Sequence, residues 1–215
     1  MAENNEETKQ QKMIAGMPRR TFCLGVGGAV AMFGVGALKY VSPQSIVRPP
    51  GAQDEDALLA KCIRCEKCVE ACPRHIVKLA HIDDGILNMR TPTLDFSDNY
   101  CDWCAEENGG VPMCAHACPT EAIARNPQST PENTVIGVAE INTEWCLAWR
   151  FKGCSYCVDA CPHGAIEFDS NGMPVVVQEK CNGCGACYTV CASLSAGSIL
   201  EGMTDRAITV KPVER

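Results

Sequence analysis

Large apolar side chains are scarce in this chain. Leu, Ile, Val and Phe together supply 44 of its 215 residues, close to the level below which a chain buries too little surface to fold on hydrophobicity alone. Several of them fall within the first fifty residues, which leaves the remainder poorer still. A conventional hydrophobic core is therefore excluded as the main source of stability, and something else must organise the interior. Other shortages narrow the chemistry. The formal charge is −7 and no basic run stands out, which excludes a nucleic-acid footprint. The four histidines form no metal constellation; His116 and His163 each read as solvated or as hydrogen-bonding near a site. No nucleophile–base pairing can be assembled. Gly25-Val26-Gly27-Gly28 lacks the preceding strand that a phosphate loop needs. The chain is not expected to be an enzyme by itself.

Cysteine is the exception, with seventeen residues. Sixteen fall into four runs. The first is Cys62, Cys65, Cys68, Cys72; the second Cys101, Cys104, Cys114, Cys118; the third Cys146, Cys154, Cys157, Cys161; the fourth Cys181, Cys184, Cys187, Cys191. Pro73, Pro119 and Pro162 close the first three, ending the ligand loop by fixing φ and withholding an N–H. C-x2-C-x2-C-x3-C is the spacing that ligates a [4Fe–4S] cubane, the loop offering three thiolates and the fourth cysteine serving a second cluster in two-cluster ferredoxins. Runs two and three carry inserts, Ala105–Met113 and Leu147–Gly153, which lengthen a loop without removing a ligand. Zinc would use paired C-x2-C knuckles and has little use for three thiolates crowded on one loop. A disulfide framework is the other possibility for an exported chain, but the fourfold repeat with three Cys-Pro endings argues against it. Four runs predict four [4Fe–4S] clusters with all sixteen cysteines as iron ligands. Each cluster with its thiolates carries about −2, so the loaded protein has a net charge of about −15. Metal-nucleated domains of this kind fold poorly without metal.

The first fifty residues are of another kind. A polar start leads to Arg19-Arg20-Thr21-Phe22 and then to a glycine-rich, mildly apolar stretch from Leu24 to Leu38. Paired arginines before such a stretch look like a twin-arginine export signal, read by the translocase that carries folded cargo. Clusters built in the cytoplasm require that route. Fifteen helical residues rise about 22 Å, short of the roughly 30 Å of a hydrocarbon core. No A-x-A site follows, so residues 24–38 could also remain as a membrane tether. Cys23 lies in this leader and is read as a non-ligand.

Between the runs, short strands are expected. Ala165–Phe168 and Val175–Val177 flank Asp169-Ser170-Asn171-Gly172 and predict a β-hairpin. Ile123–Arg125 and Val135–Ile141 flank a longer loop holding Pro127 and Pro131. Ile76, Ile123 and Ile166, each four or five residues past the last cysteine of its run, are expected to pack on the neighbouring cluster. The fold class is α+β, a duplicated ferredoxin-like unit.

The chain resembles the NapG/MauM family of ferredoxin-type proteins, through its twin-arginine leader, Arg48-Pro49-Pro50-Gly51-Ala52 before the first run, and four cysteine runs with inserts in the second and third. That resemblance implies an electron relay at the periplasmic or extracytoplasmic face of the membrane. It implies a polytopic, quinol-oxidising iron–sulfur partner of NapH type and an acceptor reductase, soluble or membrane-bound. A second reading is the relay subunit of a molybdopterin oxidoreductase, and a remote third is a zinc-stabilised binding module. Motif order permits two ways of pairing the runs, one with two and three with four, or one with four and two with three. Resemblance to four-cluster electron-transfer proteins implies the second, and the neighbouring insert-bearing runs suit it. The expected ligand sets are then Cys62, Cys65, Cys68 with Cys191; Cys181, Cys184, Cys187 with Cys72; Cys101, Cys104, Cys114 with Cys161; and Cys146, Cys154, Cys157 with Cys118. The matching division is residues 1–42 as signal or uncleaved anchor, 43–57 as linker, 58–95 with 170–215 as an outer di-cluster unit, and 96–169 as an inner unit inserted in it.

Overall fold

The computed structural model describes residues 18, 22–28, 32, 45–126, 128–151, 153–196 and 203–213. The chain forms two compact units, Met1–Ser42 and Pro43–Arg215. In the first, residues 22–28 are helical and Cys23 is exposed. Arg19 and Arg20 lie outside the described residues, as does most of 24–38. Among the described residues no helix is long and apolar enough to cross a membrane.

The second unit opens where a linker was expected, and the chain there is packed instead. Arg48 is buried. Its guanidinium pairs with Glu55 and donates to Thr91 Oγ1 at 2.7 Å, Pro92 O at 2.7 Å and Asn88 Oδ1 at 3.1 Å. A buried cation demands such partners, so Arg48 ties residues 88–92 to the entry of the fold. Helix α1, Glu55–Lys61, follows. Asp54 caps it by accepting from Ala57 N, acidic residues fill the first turn, Lys61 the last, and Leu58 is fully buried. Cap and charges both favour the helix dipole.

The remaining elements are short. Helix α2 spans Lys67–Glu70, α3 Ala105–Asn108, α4 Met113–Ala117, α5 Leu147–Phe151, α6 Tyr156–Asp159 and α7 Ala186–Thr189. Strands β1 (Val77–Leu79) and β2 (Pro92–Leu94) form one antiparallel ribbon. Strands β4 (Ile166–Phe168) and β5 (Pro174–Val176) form another, with Ile166 opposite Val176 and Gly172 at φ 76° in the turn; this is the hairpin expected over Asp169–Gly172. Strand β3 (Val138–Ile141) pairs with β6 (Ile208–Lys211) near the C-terminus. The strand expected at Ile123–Arg125 does not form, because Ala124 N–H donates instead to Gly51 O at 2.8 Å.

A two-stranded ribbon alone is marginal in water, and these three ribbons share no larger sheet. The buried clusters that hold them together are rich in cysteine. One gathers Leu58, Ile76, Val77, Phe96 and Ile123 around Cys72, Cys114 and Cys118; a second gathers Ala139, Ile166 and Ile208 around Cys187. The shortage of large apolar side chains is met by placing thiols in the core.

Close approach fixes several glycines, Gly183 and Gly185 among them. Gly183 has φ +81°, and a Cβ there would lie 2.4 Å from the backbone N and O of Gly137. Gly185 has φ +88°, and a Cβ would meet the Phe96 ring at 2.2 Å. Gly183→Ala should therefore lower stability by about 2 kcal/mol or more in denaturation of the metal-loaded protein, strain and clash adding together. Gly109→Ala, at φ +60° but in open space, should cost about 1 kcal/mol. Equal losses at the two positions would contradict this packing.

Candidate metal centres

The cysteine loops repeat one backbone device. In run one, Arg64 and Glu66 take positive φ, 57° and 67°; in run four Gly183 and Gly185 do so at the same offsets, 81° and 88°. Trp103 and Gly153 take it within runs two and three, at 60° and 86°. Left-handed residues between ligands bend the chain around a centre so that successive thiols face inward. For Arg64, Glu66 and Trp103 this costs about 1–2 kcal/mol each, offset in part by Arg64 donating to Met89 O at 2.9 Å and by the Glu66–Arg90 pair. The Cys-Pro endings share a second device. The third residue after the last cysteine, His75, Glu121 or Gly164, has φ of 56°, 53° or 59°. That turn sends the next residues, Ile76, Ile123 and Ala165–Ile166, into the core.

These devices gather the thiols into four sets. Cys62, Cys65, Cys68 and Cys118 line one cavity, together with Ile123. Cys161, Cys181, Cys184 and Cys187 line another with Ile166. Cys146, Cys154, Cys157 and Cys191 line a third. Each of the three is lined by four thiols, three from one run and one from another. Cys72 stands with Cys101, Cys104 and Cys114, close enough that its thiolate acts on all three.

The nested pairing expected from the sequence is thereby corrected. Cys191 lies with run three and not with run one; Cys72 lies with run two and not with run four. Cys161 joins run four, and Cys118 joins run one. The reason is local. Helix α2 carries Cys68 and ends before Cys72, so the third and fourth thiols of the run diverge towards two centres. Helix α4 does the same for Cys114 and Cys118, and α2 packs on α4. Helices α6 and α7 repeat the exchange for runs three and four. Each fourth cysteine crosses to its neighbour's centre, and the neighbours are consecutive in sequence.

Electrostatics describe what each set requires. Burial, then the nearby Cys62 and Cys118 thiolates, push Cys68 up to about 11. Burial, with Cys104, Cys72 and Cys184 nearby, pushes Cys101 up to about 12. Burial with Cys146, Cys154 and Cys191 pushes Cys157 up to about 12. Burial raises Cys187 as well, helped by Cys184, Cys181, Cys157 and Cys161. Thiols in such company keep their protons unless cationic iron replaces them. Backbone donors are already aimed at the sulfurs. Ala165 N–H donates to Cys161 Sγ at 3.2 Å, Ala139 N–H to Cys181 at 3.4 Å, Met113 N–H to Cys104 at 3.5 Å and Ile123 N–H to Cys118 at 3.5 Å. At Cys118 burial is outweighed by these donors and by Thr120, and its thiol is held below the ordinary value.

The residues fit cubane clusters. Among the described residues no three His, Cys, Asp or Glu side chains converge as ligands of one metal ion, and all seventeen cysteines are unpaired. Four thiols around a cavity suit a body that offers one iron at each corner, whereas four zinc ligands meet within about 2.3 Å of a single ion. The buried indole N–H of Trp103, inside run two, has no acceptor in the protein, an arrangement that costs about 1–3 kcal/mol. Cluster sulfur is an acceptor of the kind it lacks.

Fold and site define an iron–sulfur ferredoxin-type protein. Residues 59–78 match the 4Fe-4S binding domain family and residues 152–194 the 4Fe-4S dicluster domain family. The ferredoxin-type protein NapG of Escherichia coli is 32% identical over 157 residues, 67% of this chain and 65% of that protein. The methylamine utilization ferredoxin-type protein MauM of Methylobacillus flagellatus is 33% identical, covering 100% of this chain and 92% of its own length. MauM of Methylophilus methylotrophus is 36% identical over 181 residues, 78% of this chain and 76% of that one. The chain belongs to the NapG/MauM family of ferredoxin-type electron-transfer proteins.

The thiol grouping makes a test by iron content. Replacing Cys62 and Cys65 with Ala should remove about four irons, one cubane. Adding Cys118→Ala should remove none further, because that centre is already lost, whereas adding Cys191→Ala should remove about four more. The reverse pattern would restore the nested pairing.

Proposed function

We propose that this protein is a wire of four [4Fe–4S] clusters that works outside the cytoplasmic membrane. The gathering of sixteen cysteines into four quartets carries the reading. The quartets also have an order. Cys62, Cys65, Cys68 and Cys118 are joined by α2 and α4 to the set of Cys72, Cys101, Cys104 and Cys114. Cys101 N–H donates to Cys184 O at 2.8 Å, which links that set to Cys161, Cys181, Cys184 and Cys187. The Cys157 thiolate acts on Cys187, which leads to Cys146, Cys154, Cys157 and Cys191. Electrons enter at one end, hop from set to set and leave at the other. The protein's own part is to hold the clusters in line, exclude water around them and aim N–H donors at their thiolates. By kinship, the donor is a polytopic quinol-oxidising membrane protein of NapH type, and the acceptor is a reductase. Export by the twin-arginine translocase, through Arg19 and Arg20, places the loaded protein at the extracytoplasmic face.

Two experiments check this. Anaerobically purified protein should carry about sixteen irons and as many sulfides, four per cubane; eight irons or fewer, or stoichiometric zinc, would sink the reading. Replacing Arg19 and Arg20 with Lys should strand cluster-bearing protein inside the cell in a fractionation, because the arginine pair is read as such. Normal export of that variant would refute the leader assignment.

A further inference from the structure

Two hydroxyls stand two residues past the last cysteine of a run, and they differ. Thr120 Oγ1 lies 3.8 Å from Cys118 Sγ. Ser193 Oγ lies 3.1 Å from Cys191 Sγ, and Ser193 is 1% exposed. Ser193 has a second partner, the backbone N–H of Ala207, which donates to its oxygen at 2.8 Å. Ala207 is itself held, since its carbonyl accepts from Asn142 N at 2.7 Å beside the β3–β6 ribbon. A backbone N–H can only donate, so the Ser193 oxygen accepts there and its proton remains free to be given. A thiolate bound to iron carries no proton, so across the 3.1 Å contact only the hydroxyl can donate. The three groups form a directed chain, Ala207 N–H to Ser193 O–H to Cys191 Sγ, in which the first bond strengthens the second.

We infer that Ser193 is the redox-positioning residue of the cluster held by Cys146, Cys154, Cys157 and Cys191, donating a hydrogen bond to the Cys191 thiolate. This rests on the four-cluster reading above. One electron arrives from the neighbouring cluster, or from dithionite in a titration. No bond breaks, and the hydroxyl keeps its proton. The added negative charge falls partly on the thiolates, and a donor fixed at one of them stabilises the reduced form more than the oxidised form. Hydrogen bonds to cluster sulfurs are among the recognised controls of potential. Ser193 thus raises the potential of this cluster. Cys118, at the other end of the line, has a longer hydroxyl contact, to Thr120 at 3.8 Å, and accepts from the Ile123 N–H at 3.5 Å. The effect makes the cluster of Cys146, Cys154, Cys157 and Cys191 a stronger electron sink than it would be without the Ser193 hydroxyl.

The test is a potentiometric titration, followed by electron paramagnetic resonance, of anaerobically purified full-length protein and its S193A and S193T variants. With S193A one midpoint should move to lower potential while the others stay and the iron content is unchanged. S193T keeps a hydroxyl and should return that midpoint towards the parent value. An S193A protein with full iron and no displaced midpoint overturns the inference. So does an S193A protein that loses iron while S193T retains it, because the hydroxyl would then hold the cluster and not tune it. Iron content of the parent protein, measured on the same samples, separates these results from a failure of the four-cluster reading.

Discussion

Everything in the cysteine-bearing unit follows from one requirement, that buried and half-buried thiols, with the exposed Cys65, converge four at a time on a common centre. Thiolates repel one another and are costly to bury, and the raised thiols of Cys68, Cys101, Cys157 and Cys184 show that cost in the protein alone. Left-handed backbone at Arg64, Glu66 and Trp103 adds strain. Both are met if iron binds where the sulfurs meet. The helices of four or five residues and the three ribbons are too small to account for the fold by themselves. They serve as walls around the centres.

Much of this was legible in the sequence, for reasons that can be named. Ligand spacing is a chemical constraint that tolerates inserts, so the four runs could be read despite Ala105–Met113 and Leu147–Gly153. The hairpin at Ile166–Val176 could be read because Asp169–Gly172 is a strong turn signal between apolar triplets. The pairing of runs could not. Spacing says that the fourth cysteine leaves its loop and does not say where it goes. The shared inserts suggested kinship of the middle runs, but the packing of α2 on α4 and of α6 on α7 decided otherwise.

Other features are set by contacts between residues far apart in the chain, to which periodicity is blind. Residues 43–57 were expected as a linker, yet Arg48 within them reaches Asn88, Thr91 and Pro92. Strand β6 has no local signal beyond alternating residues and gains its place by pairing with β3. Ser193 would pass for a solvated loop residue; only the approach of Ala207 from 14 positions away reveals its hydroxyl as a donor to Cys191.

The measurement that most directly tests the account is the location of iron in crystals of the anaerobically purified protein, from anomalous scattering at the iron edge. Four compact iron sites are predicted in a line. The outermost should lie between Cys65 and Cys118 at one end and between Cys146 and Cys191 at the other, with the sites of Cys72 and Cys161 between them. A site bridging Cys62 to Cys191, or isolated ions in place of clusters, would contradict it.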